Sequence, residues 1–166
     1  MVPLEEYPCI PDTLTLGEAI SEMAVQILRK GQLSLPRVAL VFDDGFSDLL
    51  GLLRRRDIMR GLEPAFLVGG SLEYRRKLFN VEIDPNLAEL SYDKMTAGIR
   101  KRANLLVREF MIPIKATINY DDHIMKAIHE MVDRNTSLLP VLKDNRVVGV
   151  VRSVDLLSSL ALIMSS

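Results

Sequence analysis

Two stretches of this chain place an arginine and an aspartate three residues apart behind a glycine. The first is Gly51-Leu52-Leu53-Arg54-Arg55-Arg56-Asp57-Ile58-Met59, and the second is Gly149-Val150-Val151-Arg152-Ser153-Val154-Asp155-Leu156-Leu157. Both read glycine, two aliphatics, Arg, two residues, Asp and two apolar residues, at an offset of 98 throughout. The pattern suits a strand running into a helix, whose N-terminus offers free N–H groups and a dipole favourable to anions. An arginine at that junction adds charge-assisted, bidentate bonds to a phosphate. An ionised aspartate is an acceptor only, which suits vicinal hydroxyls. Arg54, Arg55 and Arg56 concentrate positive charge at the first junction, whereas the second has Arg152 without such neighbours. A purely structural reading competes. Asp in a first helical turn stabilises the helix by roughly 0.3–1 kcal/mol with no ligand present. Each Arg, three residues before its Asp, can also close on it as an ion pair and plug its own cleft. The sequence leaves both readings open.

The elements that must position these residues recur as well. Leu16, Ala19, Ile20, Met23, Ala24 and Ile27 fall at helical spacing, as do Ile124, Ala127, Ile128, Met131 and Val132. Ala19-Ile20-Ser21-Glu22-Met23 echoes Ala127-Ile128-His129-Glu130-Met131, here at an offset of 108, so the first copy carries extra residues before its glycine motif. Between helix and motif, Val38 to Phe42 and Leu49 to Leu53 flank Asp43-Asp44-Gly45, and Leu138 to Leu142 and Val147 to Val151 flank Lys143-Asp144-Asn145-Arg146. Two β-rich runs around such a turn predict a hairpin. Thr15 with Glu18 predicts a capping box for the first helix, and Asp121 and Asp122 mark the start of the second. Each copy therefore reads as a short extended lead-in, helix, hairpin and helix. One such unit is marginal alone, so a pair burying their apolar faces together is expected, related by a pseudo-twofold axis.

Composition bounds the function. The chain has 166 residues, 48% apolar and 26% charged, with 21 Lys+Arg against 22 Asp+Glu and a net charge of −1. That is a globular composition, and a dedicated nucleic-acid binder would be clearly basic. One cysteine, Cys9, excludes an internal disulfide and a CxxC metal or redox site; a small apolar role is expected for it. The acidic start and the lack of an apolar run approaching roughly 18 residues argue against a secretory signal or membrane span, so a cytoplasmic location is expected. His123 and His129, six apart on one helix, face different ways and read as surface histidines. The chain carries no G-x-G-x-x-G, P-loop or G-x-S-x-G motif, nor a His-and-carboxylate cluster. No catalytic activity is expected. The eight methionines read as core filler.

This order of elements, present twice, resembles a CBS-domain pair, also called a Bateman module. The second copy is the clearer match, from the lead-in Val107-Arg108-Glu109-Phe110-Met111-Ile112-Pro113 and Thr117 through Leu139-Pro140-Val141 to Gly149–Asp155. The first fits more loosely, with Leu35-Pro36 and Gly51–Asp57. The resemblance implies a mixed α/β (α+β) fold of tandem β-α-β-β-α repeats, residues 7–61 and 107–164, with a helical insert at 62–106. It implies a regulatory sensor without catalysis, commonly a homodimer, in which two clefts between the copies bind an adenosine nucleotide. AMP, ADP, ATP or S-adenosylmethionine are the candidate ligands, and no cofactor is required. In the family's Gly-h-h-Thr/Ser-x-x-Asp motif the Asp receives the ribose hydroxyls and the Thr or Ser hydroxyl faces ribose or phosphate. Asp57 and Asp155 match that Asp, but Arg54 and Arg152 replace the hydroxyl residue in both copies. Backbone groups beside the lead-in Thr read the adenine edge in the family, which points to Ala116 and Thr117 here. Val150 and Val151 would border the base, although ordinary strand and core positions explain them better.

The insert is the unfamiliar part. Gly69-Gly70-Ser71 and Asp84-Pro85 break it, and Leu72–Phe79, Leu87–Tyr92 and Ile99–Leu106 have enough apolar content for short helices packed on the module or facing a partner. Arg75-Arg76-Lys77 and Arg100-Lys101-Arg102 are basic, but without aromatic stacking residues they suit solvated helix faces better than nucleic acid. Few residues lie outside the repeats and the insert, so the regulated effector is expected to be a separate chain.

Overall fold

The computed structural model describes residues 1–30, 36–63 and 85–165, with the side chains of 26–30 and 85–91 excepted. Seven strands and five α-helices lie within them. These are β1 (Val2–Pro3), β2 (Cys9–Pro11), α1 (Leu16–Lys30), β3 (Val38–Phe42), β4 (Leu49–Arg54), α2 (Arg55–Leu62), α3 (Pro85–Arg102), β5 (Ile118–Asn119), α4 (Ile124–Asp133), β6 (Leu138–Lys143), β7 (Arg146–Arg152) and α5 (Ser153–Met164). The order β2-α1-β3-β4-α2 is repeated as β5-α4-β6-β7-α5. In both copies the lead-in strand pairs in parallel with the first hairpin strand: Cys9 opposite Leu40, and Ile118 opposite Val141. The duplicated β-α-β-β-α unit expected from the sequence is therefore present.

By contact density the chain divides into two units that cut across these repeats. One comprises Met1–Pro11, Val38–Leu52 and Ile112–Ser166, and the other Asp12–Arg37 and Leu53–Met111.

The first unit holds both sheets except the last two residues of β4, with strand orders β1-β7-β6-β5 and β2-β3-β4. Strand β6 is buried on both faces. Leu139 and Val141 join Ile118, Ala127, Met131 and Leu156 in one apolar cluster, whereas Leu138 joins Leu40, Phe42, Leu52 and Val150 in another. That explains its unbroken apolar run, because a strand with two covered faces has no polar side to alternate with. In β7 one extra residue, Val148, falls between Gly149, which pairs with Val141, and Val147, which pairs with Leu142. The bulge re-aims the side chains: Val147 packs on the second cluster and Val148 on the first. The β6–β7 turn places Asp144 and Asn145 at φ of 50° and 60°, the left-handed pair of a two-residue hairpin. In the β3–β4 turn the left-handed residue is Phe46, φ 53°, rather than Gly45, and the Asp43 carboxylate accepts from the N–H groups of Ser47 and Asp48 at 2.6 and 2.7 Å.

Helix α4 begins differently from the reading of Asp121 and Asp122. His123 is its N-cap, its Nδ1 accepting from the Met125 N–H at 3.2 Å, and both histidines are exposed. Asp122 lies one residue too early to cap; it accepts from the Asn119 N–H at 2.7 Å and pairs with Lys126 at 2.8 Å. Helix α5 buries only Leu156 fully, while Val154, Leu157, Leu162, Ile163 and Met164 are exposed. Val154, Leu157, Ser158, Ala161 and Leu162 follow helical i, i+3, i+4, i+7, i+8 spacing, forming an outward stripe without a charge.

In the second unit, α1 starts with the expected capping box: Glu18 accepts from the Thr15 N–H at 2.8 Å, and Thr15 Oγ1 accepts from the Glu18 N–H at 3.2 Å. Leu16, Ala19 and Met23 are buried, Ile20 and Ala24 half-buried, and the Ile27 side chain lies outside the described set. Antiparallel bonds join residues 14–16, at the start of α1, to residues 105–107, where the insert meets the second repeat's lead-in: the Leu16 N–H donates to the Leu105 carbonyl and the Val107 N–H to the Leu14 carbonyl, both at 2.8 Å. Gly61 of α2 is pressed so closely on Leu16 and the Phe110 ring that a methyl group there would collide. The insert departs from expectation. Leu87–Tyr92 and Ile99–Arg102 belong to one helix, α3, because Gly98 interrupts no packing and propensity alone does not break a helix at glycine. Residues 103–106 leave that helix, and Leu72–Phe79 lies outside the described residues. Met23 and Met131 are core residues as expected, but Met59, Met125 and Met164 are exposed.

Candidate ligand site

Both motif glycines end in the junction read from the sequence. Strand β4 passes into α2 at Arg54, and β7 into α5 at Arg152. Each Arg is the extended N-cap residue, and each Asp is the third residue of the helix. The carboxylate reaches back to the N-cap, the role usually taken by Glu or Gln in a capping box. Asp57 Oδ2 accepts from the Arg54 N–H at 3.1 Å and from Arg54 Nε at 2.7 Å, and Oδ1 accepts from Nη2 at 2.9 Å. Asp155 repeats the arrangement with Arg152 at 3.0, 3.0 and 2.6 Å. The first helical N–H also has a chain partner in each copy, the Arg37 carbonyl for Arg55 and the Ser137 carbonyl for Ser153. The structure thus brings each Arg onto its own Asp, in the closed pairing the sequence allowed.

The two copies differ in burial. The Asp57 side chain is 1% exposed and that of Asp155 22%, while Arg54 and Arg152 remain 44% and 43% exposed. Burial pushes the Asp57 carboxyl up, but hydrogen bonds from the Arg54 side chain and backbone, with the charges of Arg54 and Arg60, outweigh it and hold the group below its usual range. For Asp155 the Arg152 side chain dominates, lowering the carboxyl against a smaller burial cost. Both pairs are therefore ionised at neutral pH, and they raise the affinity of each guanidinium for its proton.

Two participants escaped the sequence reading. Arg60 Nη2 lies 3.6 Å from Asp57 Oδ1, and its i+3 spacing was a usable signal. Tyr7 lies within electrostatic reach of Arg152 and Asp155; burial pushes its hydroxyl pKa well up, with Arg152 opposing. Nothing in the sequence links Tyr7 to residues so distant in the chain. Beside the first pair, a groove of about 610 Å³ is lined by Arg54, Arg56, Asp57, Met59, Arg60 and Glu63. Three guanidinium groups face two carboxylates there, so its balance favours an anion.

The remaining candidates are less converged. Ala116 is half-buried on the cluster that contains Leu156, the residue after Asp155, whereas Thr117 is exposed at the entry to β5. Val150 is fully buried and Val151 packs on the core, as the ordinary reading of both required. Gly149 has a local reason: a methyl there would collide with the Val2 carbonyl of β1, the neighbouring strand, in which Pro3 is the partner of Gly149. Cys9 is half-buried, with its thiol 3.4 Å from the Tyr7 carbonyl. Among the described residues no group of three His, Cys, Asp or Glu side chains is arranged to hold a metal, and no helix is long and apolar enough to cross a membrane.

The duplicated topology with an acidic residue at each strand-to-helix junction defines a class, and comparison with known families agrees. The family model for the CBS domain matches residues 2–64 and 107–162. The chain belongs to the CBS-domain family. No curated protein matches it. Among solved structures it is similar to the CBS-pair protein CBSX2 from Arabidopsis thaliana, at 14% identity and a TM-score of 0.63, covering all of this chain and 94% of that one. CBSX2 in complex with AMP matches at 13% identity and a TM-score of 0.60, covering 99% and 94%. The cytosolic domain of the Mg2+ channel MgtE in complex with ATP matches at 18% identity and a TM-score of 0.59. The match covers 95% of this chain but only 46% of that structure's chain. At these identities the likeness establishes the fold.

Proposed function

We propose that this chain is a cytoplasmic regulatory module that senses an adenosine nucleotide, has no catalysis of its own and acts on a separate effector protein. The observation that carries the reading is the duplicated junction, with an arginine and an aspartate in the same geometry at two helix starts. The AMP and ATP complexes among its structural relatives support the ligand class. In this reading Arg54 and Arg152 serve the phosphates, Asp57 and Asp155 the ribose hydroxyls, and the backbone at Ala116 and Thr117 the adenine edge. Bound nucleotide favours one geometry of the module, which the effector reads as a population shift. A thermal-shift series with AMP, ADP, ATP and S-adenosylmethionine tests it. A ligand at 100 times its Kd stabilises by about 2.7 kcal/mol, so at least one should raise the Tm, and Asp57→Ala/Asp155→Ala should abolish the rise. A flat series at millimolar ligand would sink the reading.

One observation favours a second reading, a ligand-free interaction module: both carboxylates already hold their own arginines. Its partner would be a second copy of this chain, seated on the uncharged outward stripe of α5. On that stripe Val154, Leu157 and Leu162 are each more than half exposed, and α4 adds exposed Met125 and Val132. An uncharged face is best matched by another uncharged face, which a twofold copy supplies.

A further inference from the structure

We infer that Arg54 and Arg152 are charge-exchange latches, which yield their aspartates to a nucleoside carrying phosphate and withhold them from the uncharged nucleoside; the inference rests on the nucleotide reading above. A carboxylate has about four lone-pair sites. At Asp155, Oδ2 spends two on the Arg152 N–H and Nε, and Oδ1 spends one on Nη2. The remaining site can take one hydroxyl and cannot serve a vicinal pair. At Asp57 the same three bonds are made, and Arg60 stands 3.6 Å from Oδ1. A ribose can therefore use either aspartate fully only after the guanidinium has left.

Each guanidinium can leave at small cost to packing, because both arginine side chains are more than two-fifths exposed. What must be replaced is the charge-assisted fork. A phosphate presents two acceptor oxygens to which the planar guanidinium fork can donate in place of a carboxylate. With a nucleotide the carboxylate exchanges guanidinium for diol while the guanidinium exchanges carboxylate for phosphate, and neither charge is stranded. With adenosine the second half of the exchange is missing. The partly exposed Asp155 opens before Asp57, whose 1% exposure and second arginine hold it closed.

Isothermal titration of the full chain with AMP and with adenosine tests this, comparing wild type with Arg54→Thr/Arg152→Thr and with the milder Arg152→Thr, and circular dichroism checking each fold. Wild type should bind AMP at least about tenfold more tightly than adenosine, and the threonine variants should bind adenosine at least about tenfold more tightly than wild type does. Equal wild-type affinities, or adenosine binding unchanged by threonine, would overturn the latch while leaving the nucleotide reading intact. AMP binding seen only after the arginines are replaced would overturn the exchange and make them permanent plugs. No binding to any folded form would overturn the nucleotide reading and the latch with it.

Discussion

Arg54 Nε stands 2.7 Å from Asp57 Oδ2, and the pair it forms joins a guanidinium 44% exposed to a carboxylate 1% exposed. Removing the arginine therefore leaves the charge on the buried side. Its counterpart, Arg152 with Asp155, has a carboxylate that water can reach. Stranding a buried charge costs more than stranding a hydrated one. Arg54→Met should destabilise the chain by about 1–3 kcal/mol, with Arg60 supplying partial relief, and Arg152→Met by about 1 kcal/mol or less. Urea unfolding of the two variants measures the order, and a larger loss at Arg152 would contradict this account.

Acid should reveal the same pairs. Both aspartates have folded pKa values below their ordinary range, so the unfolded chain binds protons more readily than the folded one. Their contribution is fully present above the unfolded value, about 4, and is lost as pH falls through the lower folded value. Stability should thus decline below about pH 4, and Asp57→Asn/Asp155→Asn should flatten that decline in pH-dependent urea titrations. An unchanged slope would separate these pairs from acid unfolding.

Gly149 carries a different load from the acid pairs. The Val2 carbonyl and the Met1 side chain lie where a Cβ would be. Gly149→Ala should displace β1 and cost about 1–3 kcal/mol, as overpacking does. The Val150 amide and its neighbours in β7 should then exchange hydrogen faster, whereas undisturbed protection would mean that β1 adapts around the methyl.

Leu157, 65% exposed at the middle of an uncharged stripe, is the test of self-association. A charge at the centre of an apolar interface must be desolvated without a partner. If the chain pairs through α5, Leu157→Glu should shift it from dimer to monomer in light scattering at micromolar concentration with its circular dichroism unchanged. An unaltered mass would place any interface elsewhere.

The residue pattern determined the repeat, the hairpins, the α1 capping box and the position of the Arg–Asp motif, because these depend on neighbours within a few residues. Local spacing also allowed the closed ion pair, since three residues in a first helical turn suffice for it. Tertiary structure decided what spacing does not contain. Asp57 is buried and Asp155 is not, although their local sequences match, because burial depends on segments far along the chain. Tyr7 reaches the second junction, and Gly149 is required by β1, for the same reason. The insert's two short helical patterns fuse into α3 because helix continuity is cooperative and one glycine does not end it.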